Sequence, residues 1–328
     1  MLPIGATHGF LTEKQMTTKV LILGATGQVG SALTRVFDNH PDIELFALTR
    51  AGSSGLIGDV ADFEGIRQTL ESIRPDIVFN ATAYTDVRKS ETDYATALLI
   101  NSEAVKNFAR CANDIGALLV HFSTDYVFDG EKATPYLEDD RTNPINRYGQ
   151  SKLLGEKGVT DVGGKYLIFR TTWVVSSDHP CFLTKMVENA SKRTMMKIVS
   201  DQIGVPTTAD FIAEVSSRLA LDKVAGKALE SGIYHLVPDG KTDWASFTRW
   251  IVENAPENLK KGFVLRPDAV ESITTETYQI EFPQDKARRP KNSLLCNAKL
   301  KNVYRKSIAD WTHYCEKLMS DLGTKVEK

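Results

Sequence analysis

The sequence predicts an α/β protein of the Rossmann-type, doubly wound kind, and three observations predict it. Short apolar, β-branched runs alternate with helical stretches through the first half of the chain, the pattern of a parallel sheet covered on both faces. The first of these runs passes directly into GATGQVG, a glycine-spaced turn that opens a helix. After about Val175 the alternation loosens, which predicts a smaller C-terminal lobe interleaved with late parts of the sheet.

Taken in order, residues 19–24 (KVLILG) carry almost only apolar side chains, as a strand buried on both faces requires. Leu33, Val36 and Phe37 then recur at helical spacing. IELFALTR reads as a second strand, FEGIRQTLESI as a helix and PDIVFNATA as a strand. DYATALLINSEAVKNFARCANDIG reads as one long helix and ALLVHFSTDYVF as a further strand. The helix carrying NRYGQSK is expected to start at Asn143 and Pro144, as cap and first-turn residue. KYLIFRTTWVV is the next strand, and KIVSDQIGVPTTA, GIYHLVPDG and ARRPKNSLL read as loops and short elements.

Bulk properties narrow the function. The chain has 328 residues, with 40 Lys and Arg against 42 Asp and Glu. That balance argues for neither nucleic acid nor an anionic membrane surface as partner. Cys111, Cys181, Cys296 and Cys315 show no paired spacing, which suits the reduced thiols of a cytoplasmic protein better than disulfides or zinc. No apolar run approaches membrane-spanning length. The start, MLPIGATHGFLTEKQMTTKV, lacks the basic and apolar stretches of a signal peptide. Residues 1–17 are read as a disordered extension outside the fold.

Gly24, Gly27 and Gly30 stand at three-residue spacing. A dinucleotide site needs glycine there for a tight turn, for close approach of a pyrophosphate and for close helix–strand packing. The helix start then offers free N–H groups to the phosphates. An ordinary glycine-rich turn is the competing reading. The loop candidates for cofactor binding are Gly24, Thr26, Gly27, Gln28, Val29 and Gly30. The second strand ends ALTRAGSSG, with no acid for a ribose 2′-hydroxyl and with Arg50 at hand for a 2′-phosphate. NADPH is therefore expected, with NADH as the alternative, although Arg50 also fits a solvated loop. Asp59, followed by Val60 in GDVAD, is read as lying after a third strand-like turn, where an adenine amino group would find an acceptor. Ala83, Tyr84 and Thr85, at and just beyond the end of PDIVFNATA, complete the cofactor candidates. The expected division is a cofactor-binding unit at 18–175 and a mainly substrate-binding lobe at 176–328, with segments returning to the first unit.

Tyr148 and Lys152 stand four residues apart, on one face of their helix. Alone, the pair fits an exposed polar pair as well as a proton donor with its activator. Its setting resembles the extended short-chain dehydrogenases/reductases, and more closely the dTDP-4-dehydrorhamnose reductases. The resemblance is carried by GATGQVG, RPDIVFNATAYT, VHFSTDYVFDG, NRYGQSKLLGE, LIFRTTWV, DQIGVPT, GIYHLV and RRPKNSLL, from about residue 19 to 296. It implies NADPH-dependent reduction of the 4-keto group of a nucleoside-diphosphate 4-keto-6-deoxy sugar, first of all dTDP-4-dehydro-L-rhamnose. Tyr148 would give the proton. Lys152 would lower its phenol from about 10 towards working pH and hold the nicotinamide ribose. Thr124 would orient the carbonyl by the family match, with Ser123 the second candidate; strand alternation turns only one of them to the cleft. Asp125 would meet a sugar hydroxyl.

By the same resemblance Trp173 packs against the deoxysugar, where a core tryptophan is the competing reading. Arg289 would bind the diphosphate, with Arg288 an equal-looking neighbour. Three positions depart from the family: Val87-Arg88-Lys89 replaces Val-Asp-Lys, Val175 stands where tyrosine is common, and Ala32 replaces an acid that helps bind magnesium at a dimer interface. No metal is expected, and the chain is read as a monomer or weak homodimer. Two rival readings stand beside this one: another nucleotide-sugar 4-reductase, or a non-catalytic regulatory subunit resembling the β subunit of methionine adenosyltransferase.

Overall fold

The structure, a computed structural model, describes residues 17–38 and 40–326; the expected N-terminal extension, Thr17 apart, lies outside them. β1 (Thr18–Leu23) has β2 (Ile43–Leu48) on one side and β3 (Ile77–Asn80) on the other, both parallel. The sheet continues through β4 (Leu118–Thr124) and β5 (Tyr166–Thr171). Four short strands follow: β6 (Val174–Val175), β7 (Met196–Val199), β8 (Ile203–Gly204) and β9 (Thr207–Thr208). The chain then returns to the main sheet as β10 (Gly232–His235), giving the order β10-β5-β4-β3-β1-β2. Strand order reverses on either side of β1, and a cofactor crevice belongs beyond the carboxyl ends of the strands there.

Helices cover both faces, as the continuous apolar runs demand. α1 (Gln28–Phe37) follows β1, and α2 (Phe63–Ile73) follows β2. After β3 come α3 (Val87–Thr92), α4 (Tyr94–Leu98) and α5 (Ala104–Asp114). The stretch predicted as one long helix is helical from Tyr94 to Asp114, with Leu99–Glu103 a π-helical turn between α4 and α5. α6 (Arg147–Val162) lies between β4 and β5. It starts later than expected: Asn146 is the cap, accepting from the Gly149 amide at 2.8 Å. Asn143 is held in the preceding loop, its amide bonded to the Val127 carbonyl at 2.9 Å.

Two other expectations are corrected. The strand through STDYVF ends at Thr124, whose hydroxyl accepts from the Tyr126 amide at 3.2 Å and turns Asp125–Val127 into a 3-10 turn. KYLIFRTTWVV is broken at Trp173, where φ is +42°. Val174–Val175 consequently leaves the main sheet and pairs with β9.

The second lobe holds α7 (Phe182–Ala190), and α8 (Ala209–Val224) follows β9. Beyond β10 come β11 (Thr242–Asp243), which pairs with β8, then α9 (Trp244–Asn254) and α10 (Glu257–Lys260). β12 (Val270–Ile273) pairs with β7 and leads to α11 (Thr275–Glu281), α12 (Ala298–Tyr304) and α13 (Trp311–Val326). Sequence order and core membership diverge here. Phe211, Ile212 and Leu219 of α8, Tyr234 of β10 and Leu300 of α12 pack into the core under β1, β3 and β4. Leu183, Phe247, Ile251, Trp311 and Cys315 form a separate core. Among the described residues no helix is long and apolar enough to cross a membrane.

Candidate active site

The glycine loop is shaped as its sequence requires. Gly24 has φ +81°, and a Cβ on Gly30 would lie 2.0 Å from the Gly24 carbonyl oxygen, so neither position admits alanine. The Gly27 amide closes the turn onto the Gly24 carbonyl at 3.0 Å, and the first helical bond runs from Ser31 to Gly27. The amides of Gln28, Val29 and Gly30 are the first-turn donors that a helix leaves without internal acceptors. This cradle fits a dinucleotide phosphate. Thr26 is exposed and Val29 packs on the core.

Arg50 and Asp59 come together beyond β2, with Nε and Oδ2 3.4 Å apart and the Arg50 side chain 79% exposed. Asp59 lies in the loop between β2 and α2. That loop holds only an isolated bridge, Ser53 to Leu56, rather than a third strand. The Val60 side chain is buried with Leu48 and Ile66, so only its backbone remains for a ligand.

At the end of β3, Ala83 and Thr85 are exposed. Tyr84 between them is held at both backbone groups by Asn101. Its amide donates to Oδ1 at 2.9 Å and its carbonyl accepts from Nδ2 at 3.0 Å. Asn101 Nδ2 also donates to Ser151 Oγ at 3.0 Å, tying the loop to α6. Asn101 sits in the π-helical turn and is buried. Sequence reasoning missed it; the only sign was an asparagine on the buried face of a helical stretch.

β4 and α6 bring the catalytic candidates together. Alternation along β4 separates its last two hydroxyls. Ser123 donates to Glu156 Oε1 at 2.5 Å inside the protein, whereas the Thr124 hydroxyl lies on the Tyr148 side, close enough to oppose the rise of its pKa. Thr124 also donates to Asp125 Oδ1 at 3.1 Å. Tyr148, Lys152 and Glu156 follow one another at four-residue steps along one face of α6. A Cβ on Gly149 would lie 2.1 Å from the Tyr126 carbonyl oxygen, and its absence lets the helix start press against the 3-10 turn.

The electrostatics differ from the expected pattern. Lys152 is buried, and its Nζ donates to the Phe122 carbonyl at 2.6 Å and lies 3.4 Å from His121 Nε2. Burial lowers its pKa to about 8, with the Glu156 charge acting in opposition. Burial and the Asp125 charge raise the Tyr148 pKa, opposed by the Thr124 hydrogen bond. The expected lowering of the phenol by Lys152 is not seen: the ammonium is engaged by the Phe122 carbonyl, and burial raises the phenol instead. The phenol stays protonated, the form a proton donor needs. Burial, and then the Lys152 charge, push His121 well below its ordinary value. Burial raises Asp125 to about 7, and its Oδ2 has no hydrogen-bond partner among the described residues.

Tyr126 meets Tyr148 edge-on, ring centroids 5.7 Å apart, and opens onto a cavity of about 280 Å³. Phe182, Trp244, Tyr278, Gln202 and Arg289 line it with Tyr126. Arg289 donates to Asp285 Oδ2 at 2.8 Å and to the Ala287 carbonyl at 3.2 Å. It also borders an adjoining cavity of about 350 Å³, where Arg288 and Lys291 appear. The two arginines are thereby distinguished, since Arg289 faces both cavities and Arg288 only the second. Trp173 stacks on Trp244, ring centroids 3.5 Å apart, and it is Trp244 that lines the cavity wall. Among the described residues no group of three or more His, Cys, Asp or Glu side chains is placed to hold a metal ion.

A parallel sheet with a phosphate cradle after β1, and a tyrosine and lysine on one helix face beside a strand-end threonine, define an extended short-chain dehydrogenase/reductase. The family model described as the RmlD substrate binding domain matches residues 18–323. The dTDP-4-dehydrorhamnose reductase of Burkholderia thailandensis is 39% identical, over 93% of this chain and 99% of its own. The crystal structure of a dTDP-4-dehydrorhamnose reductase from Clostridium acetobutylicum superposes with TM-score 0.81 at 30% identity, covering 93% of this chain and 99% of that one. One from Bacillus anthracis, in complex with NADP, gives TM-score 0.81 at 28% identity, covering 93% and 100%. The chain belongs to the dTDP-4-dehydrorhamnose reductase family.

Proposed function

We propose that the protein reduces the 4-keto group of dTDP-4-dehydro-L-rhamnose to give dTDP-L-rhamnose, using NADPH and accepting NADH less well. The observation that carries this reading is the placing of Tyr148 beside Thr124 and, through Tyr126, against a cavity bordered by Arg289. A ketone, a hydroxyl-bearing ring and a diphosphate need those three things in that order.

The cofactor, when bound, supplies a hydride to the carbonyl carbon. Tyr148 gives its phenolic proton to the carbonyl oxygen, and the Thr124 hydroxyl donates to the same oxygen and orients it. Lys152 would hold the nicotinamide ribose hydroxyls. The buried, unpartnered Oδ2 of Asp125 accepts from a sugar hydroxyl. Arg289, kept charged and oriented by Asp285, pairs with the diphosphate. Trp244, backed by Trp173, offers the sugar nucleotide an aromatic wall. Arg50 receives the 2′-phosphate at the far end of the cofactor. We read the protein as cytoplasmic and as a monomer or weak homodimer.

The test is direct. Purified protein is mixed with NADPH and dTDP-4-dehydro-L-rhamnose, and the nicotinamide absorbance is followed. Substrate-dependent loss of that absorbance with formation of dTDP-L-rhamnose is expected. Turnover only with a different deoxysugar would move the assignment to another 4-reductase, and no turnover with any would favour the regulatory-subunit reading.

A further inference from the structure

A segment of the second lobe is tied to the first helix and its glycine loop at three points. Ser176 Oγ donates to Gln28 Oε1 at 3.0 Å, and His179 Nε2 donates to the Thr26 carbonyl at 2.8 Å. Asp178 pairs with Arg35, near the far end of α1, at 2.7 Å. Lys325 of α13 secures the segment from behind, bonding Ser177 Oγ at 2.9 Å and pairing with Asp178.

The His179 contact bears on the loop's chemistry. In a helix each carbonyl accepts from the amide four residues on, so the Thr26 carbonyl is the natural partner of the Gly30 amide. Here that carbonyl is turned to His179, and the first helical bond is instead Ser31 to Gly27, at 2.9 Å. Gly27 is extended there, with φ −81° and ψ 171°, so α1 begins at Gln28 and the Gly30 amide joins those of Gln28 and Val29 as an outward donor, while His179 grips the carbonyl on the near side of that turn. A second observation concerns the other ring nitrogen. His179 Nδ1 is buried and has no partner among the described residues. An unpaired buried polar atom is destabilising, so packing alone does not account for histidine at this position.

We propose that His179 is a positioning residue for the cofactor's diphosphate: by holding the Thr26 carbonyl it fixes the extended turn at Gly27 that leaves the Gly30 amide free for a phosphate oxygen. This rests on the nicotinamide-cofactor reading above.

The experiment compares binding of two ligands to the full-length protein by calorimetry: NADPH, and adenosine 2′-monophosphate, which has the 2′-phosphate but no phosphate at the 5′-position. His179→Ala is expected to weaken NADPH about tenfold, the scale of one lost hydrogen bond, and to leave adenosine 2′-monophosphate unchanged. His179→Gln, whose amide N–H reaches the same carbonyl, is expected to recover most of the loss. NADPH binding to His179→Ala as tightly as to wild type would overturn the inference. So would an equal loss for both ligands, which marks general loosening. Wild-type protein that binds no NADPH would instead overturn the cofactor reading, and this inference with it.

Discussion

Lys152 donates a 2.6 Å hydrogen bond to the backbone carbonyl of Phe122, one residue before the strand-end hydroxyls of β4. An ammonium that forms its best bond to a neutral carbonyl, in a buried place, is held there at a cost to the fold.

That cost fixes a pH dependence. Lys152 has a pKa of about 8 in the folded protein against 10.5 unfolded, so between these values the unfolded chain binds more protons and stability rises with pH. The contribution is fully present above 10.5 and is lost as pH falls through 8. Lys152→Met should therefore stabilise the cofactor-free protein below pH 8, by on the order of 3 kcal/mol, while abolishing most activity. Thermal melts of both proteins across pH 7 to about 10.5 check this. A gap that fails to shrink as pH rises would show that the ammonium carries no such penalty.

Tyr148→Phe should retain the fold and NADPH affinity, because one hydroxyl is lost. Its turnover should drop by roughly two to four powers of ten, the scale for a positioned general acid. Single-turnover measurement with dTDP-4-dehydro-L-rhamnose decides it, and near-normal turnover would return the tyrosine and lysine to the status of a chance pair.

Arg50→Ala should weaken NADPH and spare NADH, because Arg50 is an exposed cation at the end of β2, paired among the described residues with Asp59 alone, at 3.4 Å. Dissociation constants for both cofactors measure it. Equal losses would remove the argument for 2′-phosphate recognition.

Glu156 and Arg170 form a buried bidentate pair, at 2.9 and 2.7 Å, beneath the catalytic face of α6. Glu156→Gln should destabilise the protein by about 3–5 kcal/mol, since it strands a buried guanidinium. Pairing it with Arg170→Met should recover much of that loss in a denaturant titration. If the double variant is no more stable than the single, the pair is not the source of the effect.

The sheet was legible because buried parallel strands are near-continuous apolar runs, as in residues 20–23, and the glycine loop because close packing at Gly30 excludes every other residue. Four-residue spacing put Tyr148 and Lys152 on one helix face, and the family resemblance pointed to Thr124 beside them. Their charge states were not legible, because desolvation depends on burial that residue spacing does not encode. The break at Trp173 escaped because a positive φ at tryptophan has no sequence signal. The cavity walls escaped because Tyr126, Gln202, Trp244 and Tyr278 come from four separate segments.

The core beneath the cofactor sheet recruits α8, β10 and α12, so it contains residues as late as Leu300 and Ile308. During synthesis the ribosome delivers β1 to β5 long before those pieces exist. The nascent nucleotide-binding half must wait with one apolar face uncovered. Premature termination should leave an aggregation-prone stub, with no cofactor-binding fragment among the truncated products.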